Sequence, residues 1–263
     1  MQTDLTHLSL CSGVGGLDLA AEWAGFKTIG QCEINPYASK VLAKNFIGVK
    51  NYGDIRTITV ELLAADGIRR GEITVISAGI PCQPYSFAGK GLGDGDERDL
   101  EQELVRVVGE LRPKWVVVEN TPGLFARKNQ RYFHRILSDL SALGYSLAWG
   151  IWGACDVGAW HKRERVFIVA YSPSERRNQI EIFVKKPCKS GETQSRERIQ
   201  KSGFEFNGVH SFLRWCKTVG NHDGSLDGLS EEMDRLESLG NAVVPQQAYP
   251  IFRAIADYEN QFI

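Results

Sequence analysis

Apolar positions in this chain fall into short runs that alternate with longer stretches of helical period. "LTHLSLCS" (residues 5–12) is followed by the glycine turn "GVGG" and then by "LDLAAEWAGF", which predicts strand, turn and helix. "KTIGQCEI" predicts a second strand, and "NPYASKVLAKNF" a helix with Asn35 as N-cap and Pro36 in its first position. "NYGDI" predicts the end of a third strand and "EITVISAG" a fourth. "DLEQELVRVVGELRP" has the period of an amphipathic helix that stops near Pro113. "KWVVVEN" predicts a fifth strand, "QRYFHRILSDLSALG" a helix ended by Gly144, and "YSLAWGIWGA" and "RERVFIVAYS" two closing strands. Such alternation predicts an α/β fold, a doubly wound and mostly parallel sheet. Ligands of these sheets bind beyond the carboxyl ends of the strands. Ser12–Gly16, Glu33, Asp54, Pro81–Cys82 and Glu119–Asn120 all fall at those ends.

The pattern breaks at Ser172. From there to about Met233 the chain is polar, irregular and rich in Gly, Ser, Arg and Lys, without an internal repeat. Order returns with "DRLESLGNAVVPQQAYPIFRAIADY", a turn followed by an apolar helix. The expected organisation is a first domain over residues 1–171, a small irregular region over 172–233 and a C-terminal segment over 234–263.

With 43% apolar and 24% charged residues, the 263-residue chain has the composition of a soluble globular protein with a sizeable core. Its net charge of −1 does not advertise a nucleic-acid binder, but the total hides an asymmetry. His161 to Lys201 holds 11 Lys/Arg against 5 Asp/Glu, and Asp223 to Glu237 holds 6 acids against one Arg. The basic run reads as a solvated surface or as a localised phosphate-binding face. The six cysteines are spread without a C-x-x-C pair, which argues against a disulfide scaffold and a zinc ribbon. Cys188, His210, Cys216 and His222 are too loosely spaced to read as a zinc set, and no metal is expected. The N-terminus lacks a basic region followed by a long apolar stretch, and no run reaches membrane-span length. The expectation is a reduced, intracellular protein, monomeric and without a membrane partner.

The glycine turn from Cys11 to Gly16 fits a nucleotide-type cofactor or merely a tight turn. Glu33 strengthens the first reading, because a carboxylate at the end of the second strand is placed to bond ribose hydroxyls. Asp54 would reach an adenine amino group. The spacing does not separate a nicotinamide dinucleotide from S-adenosylmethionine. Cys82 stands between Pro81 and Pro84, in "GIPCQPYSFAGKGLG". A lone cysteine after a strand is usually a small buried hydrophobe, but two prolines stiffen the backbone around this thiol and preset its direction. A thiolate is a strong nucleophile that needs only local positive charge to form. Glu119 ends an apolar strand, where a carboxyl group is costly unless paired or functional. Arg163 and Arg165 alternate, and on a strand both would point to one face.

Taken in chain order, "SLCSGVGGLDLA", "CEINPYA", "GDI", "GIPCQPYSFAGK", "VVVENTPGL", "HKRERVFIVA" and "LGNAVVPQQ" resemble the cytosine-5 DNA methyltransferases of bacteria and phages. The matching pieces cover residues 8 to 171 and 235 to 262. Pro-Cys-Gln, Glu-Asn and Arg-x-Arg together are specific to that family; the glycine turn alone is not. The resemblance implies an S-adenosylmethionine-dependent, Rossmann-like methyltransferase sheet over 1–171. It makes 172–233 a compact target-recognition region and brings 234–263 back to the catalytic domain.

Cys82 is then the nucleophile toward carbon 6 of cytosine, Glu119 the partner of the N3/N4 edge, and Arg163 and Arg165 the holders of the base carbonyl. S-adenosylmethionine, leaving as S-adenosylhomocysteine, would sit on Cys11, Ser12, Gly13, Val14, Gly15 and Gly16. Glu33 and Ile34, Asp54 and Ile55, Pro81, Leu100, Asn241 and Val243 would complete that site. Double-stranded DNA would meet Gln83, Ser86 and Lys90 on the Gly-rich segment, and Arg176, Arg177, Lys185 and Lys186 in the basic run. Such chemistry requires the target base to leave the stack. Cys11 stands where the family commonly has an aromatic residue, and His161 where a Gln is usual. Alternatives are a transfer-RNA cytosine methyltransferase with the same catalytic set, a DNA-binding relative that no longer catalyses, and a nicotinamide oxidoreductase. The last rests only on the glycine turn and Glu33.

Overall fold

A computed structural model of the chain describes residues 4–80, 100–126, 129–159, 161–172 and 242–261. The six strands of its sheet are β1 (Thr6–Leu10), β2 (Lys27–Cys32), β3 (Val75–Gly79), β4 (Trp115–Asn120), β5 (Ser146–Trp152) and β6 (Arg165–Tyr171). Their order is β2-β1-β3-β4-β6-β5. β2, β1, β3 and β4 run parallel, and β6 is antiparallel to both β4 and β5. The expected doubly wound, mostly parallel sheet is therefore present.

The helices among the described residues are α1 (Gly16–Trp23), α2 (Pro36–Asn45), α3 (Val60–Ala65), α4 (Glu101–Leu111), α5 (Gln130–Ala142) and α6 (Pro245–Asn260). The uninterrupted apolar run of β4 follows from burial on both faces, since successive side chains alternate. Val116 and Val118 pack with Leu104 and Val108 of α4 and with Ile136 and Leu140 of α5. Trp115 and Val117 pack with Leu17 and Ala20 of α1 and with Ile251, Phe252 and Ile255 of α6. Helix α6 is also tied by polar bonds. Glu259 accepts from Lys114 Nζ at 2.6 Å and from the buried Trp115 Nε1 at 2.8 Å.

Two expectations fail. "NYGDI" is not a strand: its only ladder contact is an isolated bridge between Gln31 and Asn51. Asn51 takes the place of a ladder with its side chain, accepting from the backbone N–H of Glu33 (2.9 Å) and Gly53 (3.0 Å). Asp54 then caps a 3-10 turn over Ile55–Thr57. Arg163 and Arg165 do not alternate along one strand, because β6 begins at Arg165 and Arg163 has a left-handed backbone with φ 27°. The capped helix α3 lies where the sequence pattern predicts no element; Thr59 Oγ1 accepts from Leu62 N–H at 3.1 Å.

Candidate active site

The reversed direction of β6 assembles the site. Parallel strands β1, β3 and β4 all end on one edge of the sheet, and an antiparallel neighbour brings its amino end to that same edge. Arg165, the first residue of β6, thereby meets Glu119 near the end of β4. Arg165 Nε lies 2.7 Å from Glu119 Oε1. The contact is an ion pair rather than an aligned hydrogen bond, and Glu119 Oε1 has no hydrogen-bond partner among the described residues. Both residues are buried, with 6% and 9% exposure. The neighbouring Asn120 is buried as well, and its Nδ2 likewise lacks a described hydrogen-bond partner.

Burial penalises the charge on Glu119 more than the two arginines favour it, and the carboxyl is pushed up to about 7. At neutral pH it is therefore divided between acid and carboxylate. Arg163 reaches the same pocket without belonging to the strand, and its Nη2 donates to the carbonyl of Ala242. Burial, and next the like charge of Arg165, press the Arg163 guanidinium down, while Glu119 opposes them. A neutral-capable acid beside two guanidiniums suits a reaction in which a proton must sit on, or be shared with, a heteroatom of the substrate.

The glycine turn lies beside this pocket at the ends of β1 and β2. Gly13 has φ 56°, and among the described residues a Cβ there would meet nothing within 4 Å. Gly16 is needed for a different reason: a Cβ would stand 2.4 Å from the Val243 carbonyl oxygen. The C-terminal segment therefore returns to the turn, with Ala242 on Arg163 and Val243 on Gly16. Glu33 lies just after β2. Its Oε2 accepts from Gly13 N–H and its Oε1 from Asn35 N–H, each at 2.7 Å. Each carboxylate oxygen can accept further bonds, so ribose hydroxyls remain within its capacity. Below the turn, buried Asp18 accepts from Ser9 Oγ and Gln31 Nε2, both at 2.9 Å, and burial raises it to about 6.

The other expected cofactor residues divide. Ile34 is 64% exposed at the mouth, Val14 is buried against Leu42 and Phe46, and Ile55 points into the core on the α4 face. Asp54 is turned onto Arg56, 2.7 Å away, which holds its carboxyl below the usual range. Leu100 caps α4 and packs against the core. Cys82, Pro81, Gln83, Ser86, Lys90, Asn241, Arg176, Arg177, Lys185 and Lys186 lie outside the described residues, as do Cys188, His210, Cys216, His222 and the whole 172–233 boundary question beyond Ser172.

Two thiols near the turn are poor nucleophiles. Burial pushes Cys11 up beyond any physiological range and Cys32 up to about 12. Among the described residues no cluster of three or more His, Cys, Asp or Glu could hold a metal, and no helix is long and apolar enough to cross a membrane. The sequence pattern gave no notice of Asn51, which clamps Glu33 by accepting from its N–H and donating to its carbonyl at 3.0 Å.

Comparison with known proteins gives several relatives of this chain. The Type II methyltransferase M.NgoMIV of Neisseria gonorrhoeae is 35% identical over 182 residues, 69% of this chain and 55% of that protein. The Type II methyltransferase M.AquIA of Picosynechococcus sp. is 33% identical over 209 residues, 70% of this chain and 84% of that protein. The chain spans about half the length of several other curated relatives, such as M.NgoBI of Neisseria gonorrhoeae at 50%. In fold alone, the Entamoeba histolytica methyltransferase EhMeth superposes with a TM-score of 0.65 at 17% identity, covering 98% of this chain and 99% of that one. The family described as C-5 cytosine-specific DNA methylase matches residues 5–211. That match contains the glycine turn, Glu119, Arg163 and Arg165 in one continuous span, and the chain belongs to this family.

Proposed function

We propose that the chain is a DNA (cytosine-5)-methyltransferase that modifies a flipped cytosine within a short sequence of double-stranded DNA. The observation that carries the reading is the buried Glu119, raised to about 7 and paired with Arg165 at 2.7 Å. S-adenosylmethionine supplies the methyl group. The Cβ-free face at Gly13 suits such a group, with Gly13 to Gly16, Glu33 and Ile34 holding it and the Val243 segment closing the methionine end.

Cys82 forms a bond from its sulfur to carbon 6 of the base. The added electron pair makes carbon 5 nucleophilic, and carbon 5 gains the methyl group. Transfer of the carbon-5 proton to water, with departure of the Cys82 sulfur from carbon 6 as thiolate, restores the aromatic ring. Glu119 holds a proton at N3 so that negative charge does not accumulate on the ring as sulfur adds. A carboxyl group with its affinity for protons matched to neutral pH serves this step better than an ordinary glutamate. Arg165 and Arg163 hold the base carbonyl and favour a thiolate over a thiol nearby. The relatives' names as Type II methyltransferases support a role as the modification partner of a restriction system. Gln83, Ser86 and Lys90, with Arg176, Arg177, Lys185 and Lys186, are the proposed contacts to DNA; phosphate contacts set affinity and base-edge contacts set sequence.

The test is bisulfite sequencing of the genome of a host without its own cytosine methylation, expressing this chain or its Cys82→Ala variant. Methylated cytosines in one short context, absent with the variant, are the expected result. Soluble protein that binds S-adenosylmethionine but leaves the genome unmethylated would overturn the DNA reading and direct the same assay to transfer RNA.

A further inference from the structure

Gln247 is fully buried on α6, on the face that otherwise presents Ile251, Phe252 and Ile255 to the sheet. Its Nε2 donates to the carbonyl of Trp152 at 2.7 Å and to that of Arg163 at 2.8 Å. Those carbonyls bracket the connection between β5 and β6: Trp152 ends one strand, and Arg163 stands just before the other. The Gln247 Oε1 is buried and has no hydrogen-bond partner among the described residues. An aliphatic side chain at this position would avoid leaving that oxygen bare. Among the described residues, its two donated bonds are what offset that disadvantage.

What those bonds hold is under strain. Arg163 has φ 27°, a conformation that non-glycine residues keep only when their surroundings over-determine it. Its carbonyl also accepts from Ala154 N–H at 3.3 Å, and its guanidinium donates to the Ala242 carbonyl. Of the two bonds to the Arg163 carbonyl, the one from Gln247 is the shorter.

We infer that Gln247 is a positioning residue that fixes the backbone of Arg163 and so aims its guanidinium into the Glu119 pocket. Among the described residues, the charged groups acting on Glu119 are Arg165 from β6 and Arg163 from this turn. β3 offers only Gly79, which has no side chain to present. Loosening Arg163 therefore removes one of two attractions on the carboxylate and leaves desolvation less opposed.

The experiment uses the full chain and a Gln247→Met variant, which keeps the length of the side chain and removes its donors. The ionisation of Glu119 is followed by carboxyl carbon NMR, with the resonance assigned by its loss in Glu119→Gln. The expected result is a Glu119 midpoint at higher pH in Gln247→Met than in the parent. The kinetic arm rests on the proposed function. There kcat falls about tenfold to a hundredfold, as for a modest misplacement of a catalytic group. The KM for S-adenosylmethionine stays unchanged, and the alkaline limb of the pH profile moves to higher pH. A uniform loss of activity at every pH, or an unmoved Glu119 midpoint in a folded variant, would overturn the inference. If Gln247→Met does not fold, Gln247→Asn, whose shorter amide cannot span both carbonyls, carries the same measurements with the same outcomes. If the parent transfers no methyl group, the proposed function fails, and the carboxyl titration by itself decides the role of Gln247.

Discussion

Replacing Glu119 by Gln should abolish most turnover and yet stabilise the protein above neutral pH. The carboxyl group is raised from 4.5 to about 7 in the fold. In the native state it binds its proton more tightly than in the unfolded chain. Stability from this group is therefore fully present below pH 4.5, declines as pH rises, and is gone above pH 7. At about 1.4 kcal/mol for each tenfold change in proton affinity, the whole decline is about 3 kcal/mol. Glutamine imitates the protonated acid and does not titrate. All other groups cancel when variant and parent are compared at one pH. Between pH 5 and pH 8 the stability difference in favour of the variant should grow by about 2–3 kcal/mol. Urea unfolding at these two pH values reads it directly. With a slope near 2 kcal/mol per molar, the gap between the two midpoints widens by about 1 M. A gap that does not change with pH would show that the ionised carboxylate is well satisfied in the fold. The account of Glu119 as an acid held partly protonated at neutral pH would then be wrong.

Two further substitutions probe the frame around the site. Gly16→Ala places a methyl group 2.4 Å from the Val243 carbonyl oxygen and should cost about 1–3 kcal/mol by overpacking. It should also weaken binding of S-adenosylmethionine in calorimetry, and unchanged melting would refute the close approach of the two segments. Glu259→Ala leaves the buried Trp115 indole N–H without the acceptor it has at 2.8 Å. Urea unfolding should show a loss of about 1–3 kcal/mol, and an unaltered midpoint would mean that α6 is held by its apolar face alone.

Glu119 and its two arginines were legible because their chemistry conflicts with their setting. A Glu that ends "WVVV" has to be explained, and the strand that places it reads unambiguously from its length and β-branching. The two arginines point to one pocket, but by different means than simple alternation predicts. The turn at Arg163 depends on α6, far away in the chain, and local period carries no trace of it. "NYGDI" looked like a strand because its side chains, Asn51 above all, satisfy the backbone of Glu33 and Gly53 in the manner of a neighbouring strand. Local pattern does not distinguish a side-chain amide from a backbone one. Gln247 did leave a signal. It stands four residues before Ile251 and eight before Ile255, a polar residue on the apolar stripe, which is the mark of a buried group with a task.

The cover that α6 lays over one face of the sheet has a consequence for how this protein is made and handled. Synthesis delivers β6 well before α6, and until the last helix emerges, Val75, Trp115, Val117, Phe167 and Val169 are covered only by α1. A nascent chain at that stage carries the six described strands and an apolar face covered only in part, the kind of surface on which chaperones act and aggregates start. The family match ends at position 211. A fragment cut there would lose both "LGNAVVPQQ" and α6, so expression boundaries drawn from the family match alone would leave this apolar face part-covered and prone to aggregate.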